Sequence, residues 1–205
     1  MQIRVLCVDD HPLIRDGVAY ALQSQNDIEL VANASTGREA LALYQQHRPD
    51  VTLMDLRLPD LNGIEVMLRI RETYPTARFV VLTTYGGDVQ AARALKAGAS
   101  GYLLKSMLRN ELVDTIRAVH SGQRRITAEV TSAVSEHMCN ETLTARETDI
   151  LRRIASCHSN KSVAAALNIS EETVKGHMKS ILGKLNARYR THAVLIAMKR
   201  GILDN

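Results

Sequence analysis

The stretch Val51-Thr52-Leu53-Met54-Asp55-Leu56-Arg57-Leu58-Pro59-Asp60-Leu61-Asn62-Gly63 decides the architecture of this chain. It opens as an apolar run, stops at an aspartate, turns through a proline-containing loop and enters a helical pattern over 63–73. Val51–Met54 is continuously apolar rather than alternating, as a parallel strand covered on both faces reads. Asn62 and Glu65 have the spacing of an Asn-type capping box. The same unit recurs on either side. Apolar runs stand at Ile3–Val8, Ile28–Ala32, Phe79–Leu82 and Tyr102–Leu104, and amphipathic patterns lie near 13–24, 37–46, 88–97 and 108–120. Thr36 and Glu39 form a second capping-box pair. Five strand–helix units in succession predict an α/β fold, a doubly wound (βα)5 parallel sheet. In such a sheet the site lies beyond the carboxyl ends of the strands.

Those ends carry chemistry. Asp9 and Asp10 end the first run and Asp55 ends the third. A 2-1-3-4-5 strand order makes the two strands neighbours, so three carboxylates converge. Clustered carboxylates repel, and a hard divalent cation with oxygen ligands resolves the repulsion. Lys105 ends the fifth run on the same side and Thr83 ends the fourth. A carboxylate nucleophile, an Mg2+ position, a lysine and a hydroxyl are the parts that phosphoryl transfer needs, where catalysis is mostly positioning and charge neutralisation. His11 reads as local structure rather than as a ligand. The other six histidines are scattered, with no metal-binding spacing.

From Leu143 the pattern becomes helical throughout. Thr144 and Glu147 form a capping box before Ile150, Leu151 and Ile154. A short helix over 161–167, a tight turn at Leu167–Ser170 and a longer helix over 171–185 make a helix-turn-helix, with a last helix over about 191–200. Val174, Met178, Ile181, Leu182 and Leu185 fall within an arc of about 100° and face a core. Lys175, Gly176, Lys179 and Gly183 project from another side, giving a basic, low-profile face of the kind a DNA major groove admits. Lys161 sits at a helix start, where backbone N–H groups favour phosphate. Gly176 is open to two explanations, a structural one (surface drift or close helix packing) and close approach of the backbone to DNA. The structural explanation is preferred for Gly183, and packing for His177.

Composition agrees with this division. The 205 residues are 45% apolar but only 3% aromatic, which argues against base-stacking RNA modules. The net charge of +4 is uneven: residues 1–120 carry 13 basic and 14 acidic side chains, whereas residues 142–205 carry 11 and 5. Such asymmetry favours nucleic-acid binding by the basic end. Three dispersed cysteines (Cys7, Cys139, Cys157) support neither a disulfide framework nor a zinc site. The N-terminus lacks a signal-peptide stretch and no apolar run reaches spanning length, so a cytoplasmic protein with no membrane partner is expected. The expected domains are 1–120, a linker over 121–141 with a short helix at about 128–138, and 142–205.

Two resemblances sharpen these readings. Val8-Asp9-Asp10-His11-Pro12, Met54-Asp55-Leu56-Arg57-Leu58-Pro59 with Gly63, Leu82-Thr83-Thr84 and Gly98 through Lys105 resemble a flavodoxin-like response-regulator receiver domain. The resemblance implies that Asp55 accepts a phosphoryl group from a sensor histidine kinase. Mg2+ would be held by Asp10, Asp55, the Arg57 backbone carbonyl and, through water, Asp9. Thr83 and Lys105 would meet the phosphoryl oxygens, and Tyr102 would act as a rotamer switch. Ser106 stands where many receivers have proline. Leu143-Thr144-Ala145-Arg146-Glu147, Ser159-Asn160-Lys161, Ile169 through Lys175, His177 and Lys184-Leu185 resemble the LuxR/NarL-type DNA-binding domain. That resemblance implies Lys175 and Lys179 at base edges, Thr173 and Lys161 on phosphates, and the final helix in a homodimer contact. Cys157-His158 and Gly176 depart from the family pattern. The expectation is a transcriptional response regulator of the NarL/FixJ subfamily that binds double-stranded promoter DNA. It would not be an enzyme beyond slow Mg2+-dependent self-dephosphorylation. A phosphatase acting on small substrates would leave the basic end unexplained, and a ligand-sensing regulator would want a more aromatic front half.

Overall fold

The computed structural model describes residues 2–84, 88–126, 143–156 and 158–203. They form two compact units, a sheet-containing one and a helical one.

In the first unit the strands are β1 (Ile3–Val8), β2 (Ile28–Ala34), β3 (Val51–Asp55), β4 (Phe79–Thr83), β5 (Gly101–Leu104) and β6 (Arg125–Ile126). They pair in parallel in the order β2-β1-β3-β4-β5-β6. The helices are α1 (Pro12–Gln23), α2 (Gly37–His47), α3 (Gly63–Thr73), α4 (Asp88–Lys96) and α5 (Leu108–His120), with one 3-10 turn at Lys105–Met107. The doubly wound α/β sheet is therefore present, with its strands and helices close to the expected positions. β6 is an addition. Its two residues pair with Gly101 and Tyr102 and lie in the stretch read from the sequence as linker. Two residues carry too little periodicity to announce a strand.

Strand alternation sorts the side chains between the two faces. Val5, Cys7, Val51, Leu53, Val80, Leu82 and Leu103 pack with Val18 and Leu22 of α1 and with Leu112, Ile116 and Val119 of α5. The intervening residues, among them Leu6, Val8, Met54, Phe79, Val81 and Tyr102, are equally buried and face the opposite layer. Cys7 is a buried strand cysteine, whose thiol burial pushes up to about 12. Cys139, Cys157 and the helix expected at 128–138 lie outside the described residues.

Helix starts follow the capping residues, with two corrections. The Thr36 side chain accepts from Glu39 N, but the Glu39 carboxylate turns to Ser35 N (2.7 Å) rather than to the cap, so the box is half formed. Asn62 accepts from Ile64 N at 2.9 Å, and Glu65 pairs instead with Arg69 one turn on. A carboxylate at the third helical position goes to whichever donor lies closer, and spacing alone does not say which.

The helical unit contains α6 (Ala145–Ala155), α7 (Asn160–Leu167), α8 (Glu171–Lys184) and α9 (Arg190–Lys199). Ser159 and Ser170 cap α7 and α8. Between them Asn168 takes φ 52, the left-handed conformation that asparagine tolerates at a helix end. Ile150, Leu151, Ile154, Val163, Val174, Met178, Ile181, Leu185, Ala193 and Ala197 make the core, while Leu182 is only half-buried. Among the described residues no helix is long and apolar enough to cross a membrane.

Glu147 braces this unit. It is 4% exposed, and its carboxylate accepts from Thr144 N (2.8 Å), Ser180 Oγ (2.7 Å) and Lys184 Nζ (2.9 Å). The capping box of α6 is thus tied to the far half of α8. Burial alone would raise the carboxyl; these hydrogen bonds outweigh it and hold it at about 2. A depressed carboxylate stabilises the fold fully above its unfolded-state range, near 4.5, and loses that contribution as pH falls towards about 2. Glu147→Gln should therefore destabilise this unit by about 1.5–3 kcal/mol at pH 7. It should also flatten the loss of stability between pH 5 and 2, as read by urea unfolding at stepped pH.

Candidate functional site: an acidic pocket and a basic helix face

The sheet register assembles the pocket. Val8 pairs with Met54, so Asp9 and Asp55 follow as neighbours beyond it. Asp55 pairs with Leu82, and Thr83 with Leu104. Asp9, Asp55, Thr83 and Lys105 are therefore laid side by side along one carboxyl edge. Alternation turns Asp9, Asp55 and Lys105 towards the α1/α5 face, and Thr83 with Tyr102 towards the other.

Asp9 is 0% and Asp55 3% exposed. The Lys105 ammonium lies 2.7 Å from Asp9 Oδ2 and 2.6 Å from Asp55 Oδ2, bridging the two. Burial raises the Asp55 carboxyl above its ordinary range, and Lys105 offsets only part of that rise. Burial would lower Lys105, but its hydrogen bonds to Asp55 and Asp9 win and raise it. Asp10 is exposed at the mouth. One donor atom each from Asp9, Asp10, His11 and Asp55 lies within 4.8 Å of the others, a set able to hold a metal ion. The His11 Nδ1 is 2.6 Å from Asp10 Oδ1 and 3.3 Å from Asp9 Oδ1.

The loop after β3 is held from both ends. Arg57 N donates to Asp55 Oδ1 at 3.2 Å, and Arg57 bridges to Asn62. Gly63 N donates to Leu56 O at 3.0 Å. A Cβ at Gly63 would stand 2.1 Å from the Asp55 carbonyl oxygen, so only glycine lets α3 start this close. Asp60 accepts from Gly37 N (2.7 Å) and Arg38 N (3.0 Å), anchoring the loop to the start of α2. No sequence rule reaches a cap donated from 23 residues away. Tyr102 is wholly buried, and its phenol is pushed up to about 12 by burial, with the Thr83 hydroxyl acting in the opposite sense.

On α8, Lys175, Gly176, Lys179 and Gly183 are exposed, as expected, and so are Thr173 and, on α7, Lys161. Lys175 makes a surface pair with Glu172 at 3.0 Å, a contact worth little in water. The Thr173 hydroxyl is within 2.8 Å of Ser170 Oγ, inside the helix cap. Nothing lies within 4 Å of a Cβ built at Gly176 or Gly183. Packing within the described unit therefore explains neither glycine, which leaves surface drift or close approach to DNA for both.

A parallel sheet with a lysine-bridged carboxylate pocket thus stands in a chain that also carries a helix-turn-helix. Comparison with known proteins agrees. Residues 5–117 match the family described as response regulator receiver domain, and residues 141–197 match bacterial regulatory proteins, luxR family. The chain is 39% identical over 206 residues, 96% of each chain, to the transcriptional regulatory protein YhcZ of Bacillus subtilis. It is 36% identical over the full length of both chains to the response regulator VraR of Staphylococcus aureus. The crystal structure of ChrA, the response regulator of a heme-sensing two-component system, shares 34% identity and a TM-score of 0.59, covering 98% of this chain and 99% of that one. This chain belongs to the response regulators that join a receiver domain to a LuxR-type DNA-binding domain. It is a DNA-binding transcriptional regulator of a two-component system.

Burial raises Asp55, so its ionisation costs stability, and that cost is fully present at pH values above its folded-state pKa. Asp55→Asn should consequently raise the unfolding midpoint of the sheet unit at pH 7, by on the order of 1 kcal/mol. The gain should shrink as pH falls towards 4, as measured by thermal melts across pH.

Proposed function

We propose that Asp55 is the phosphoacceptor for a sensor histidine kinase. An Asp55 carboxylate oxygen attacks phosphorus while the P–N bond of a phosphohistidine breaks, and its electron pair leaves with the kinase imidazole, which takes up a proton. The observation that carries this reading is the pair of buried carboxylates, Asp9 and Asp55, bridged by Lys105. Its ammonium is positioned to turn from a carboxylate to the equatorial oxygens of an incoming phosphoryl group. Thr83 lines the same edge and would donate its hydroxyl to one of those oxygens. Tyr102, packed beside Thr83, would then move with it as the switch.

The donor set fits Mg2+: it is made of hard carboxylate oxygens, and three carboxylates against one ammonium leave the two negative charges that a dication offsets. Asp10, Asp55 and the Arg57 backbone carbonyl would hold the ion, with Asp9 acting through water. When bound, Mg2+ supplies charge neutralisation at the transferring phosphoryl group. The same pocket, open to water at Asp10, would support only slow self-dephosphorylation.

For the output, α8 enters the major groove with Lys175 and Lys179 at base edges, Gly176 against the groove, and Thr173 and Lys161 on phosphates. The regulator acts in the cytoplasm, with residues 1–120 as receiver, 121–141 as linker and 142–205 as DNA-binding domain, and it dimerises on activation.

Incubation of the full chain with Mg2+ and a small phosphoryl donor should give one phosphoryl adduct by intact mass. No adduct, or one that survives Asp55→Asn, would sink the phosphoacceptor reading. On the output side, Gly176→Ala should stabilise the helical unit by about 0.5–1 kcal/mol, since Ala is the better helix former, yet weaken operator binding. Lys175→Ala should cost about 1–3 kcal/mol of operator affinity if it reads a base. Both are read by salt-controlled DNA titration beside a thermal melt. An unchanged operator affinity in Gly176→Ala removes that residue from the interface.

A further inference from the structure

A dication balances the pocket while Asp55 is a carboxylate, and phosphorylation upsets that balance. A phosphoryl dianion in place of the Asp55 charge adds up to about one further negative charge. A second cation stands just outside the pocket. Arg15, near the start of α1, is half-buried, and its Nη1 donates to the Asp9 backbone carbonyl at 2.7 Å. We infer that Arg15 is a positioning residue for phosphoryl transfer that acts by charge: its guanidinium draws anionic phosphoryl donors to Asp55 and favours the phosphorylated state. This rests on the reading of Asp55 as the phosphoacceptor.

Three observations carry the inference. The first is placement. The guanidinium is anchored on the residue whose carboxylate is wholly buried in the pocket, so its charge is held at the site rather than free in water. The second is that this charge is uncommitted. Lys105 is shared between Asp9 and Asp55, whereas among the described residues Arg15 has no ion-pair partner. The first turn of α1 carries no acidic residue either, so the positive end of the helix adds to the same field. The third is reach. Burial dominates at the Cys7 thiol beneath the pocket; after it, Asp9 raises the thiol, and Arg15 and then Lys105 lower it. Arg15 is thus felt inside the sheet at least as strongly as the bridging lysine. A fixed positive charge has opposite effects on the two ligands of the pocket: it repels Mg2+ and attracts the phosphoryl group. A residue that only shaped the turn after β1 would help both.

The test compares the full chain as wild type, Arg15→Gln and Arg15→Lys. Mg2+ binding is measured by calorimetry. Adduct formation is followed by intact mass at saturating Mg2+, with acetyl phosphate, a dianion, and phosphoramidate, a monoanion. With acetyl phosphate an Asp55 oxygen attacks phosphorus, the P–O bond breaks and acetate leaves with the electron pair. Arg15→Gln should tighten Mg2+ by about two- to fivefold and slow the reaction with acetyl phosphate by about three- to tenfold. The slowing should be smaller with phosphoramidate, and both effects should fade at about 1 M salt. Arg15→Lys keeps the charge and should stay within about twofold of the wild type. Weaker Mg2+ binding together with slower transfer would make Arg15 a shaper of the turn and overturn the inference, as would equal slowing with both donors or no change in either readout. Failure of the underlying reading looks different, and takes the inference with it: the wild type forms no adduct, or Asp55→Asn still forms one.

Discussion

The bridge from Lys105 to Asp9 and Asp55 is the contact on which the sheet-containing unit turns. Two buried carboxylates on adjacent strands would drive each other apart, and one ammonium 2.7 and 2.6 Å away holds them together. That contact is possible only if β1 and β3 are neighbours, if β5 lies two places further on, and if all three run the same way. A slip of one residue in any of them would turn its charge to the opposite face. The apolar runs that fix the register therefore also fix the electrostatics. The raised Asp55 carboxyl is the cost left over, since burial outweighs what Lys105 returns.

The fold was legible wherever a long, continuous signal existed. Five apolar runs and five amphipathic patterns specify the sheet order, because few right-handed windings are compatible with them. The acidic edge was legible for the same reason, since Asp9, Asp55, Thr83 and Lys105 each close a run. What escaped depends on contacts between residues distant in sequence. The Asp60 carboxylate caps α2 from across a loop, and β6 is too short to show a period. The fates of Glu39 and Glu65 were settled by nearby donors, Ser35 and Arg69. The contact of His11 with Asp10 was not fixed by the sequence either, because a histidine beside an aspartate can turn either way.

The helical unit shows the same division. The α8 stripe of Val174, Met178, Ile181 and Leu185 was readable from its period, and the structure buries all four. The two glycines were not, because periodicity cannot separate an empty surface from a tight contact. Open space beside both removes the internal explanation.

Glu147 grips α8 through Ser180 and Lys184, on the flank that carries neither Lys175 nor Lys179. The helix is thus aimed from a different flank than the one that carries Lys175 and Lys179. Substitutions at Lys175 or Lys179 can therefore change what that face presents without altering how the helix is held.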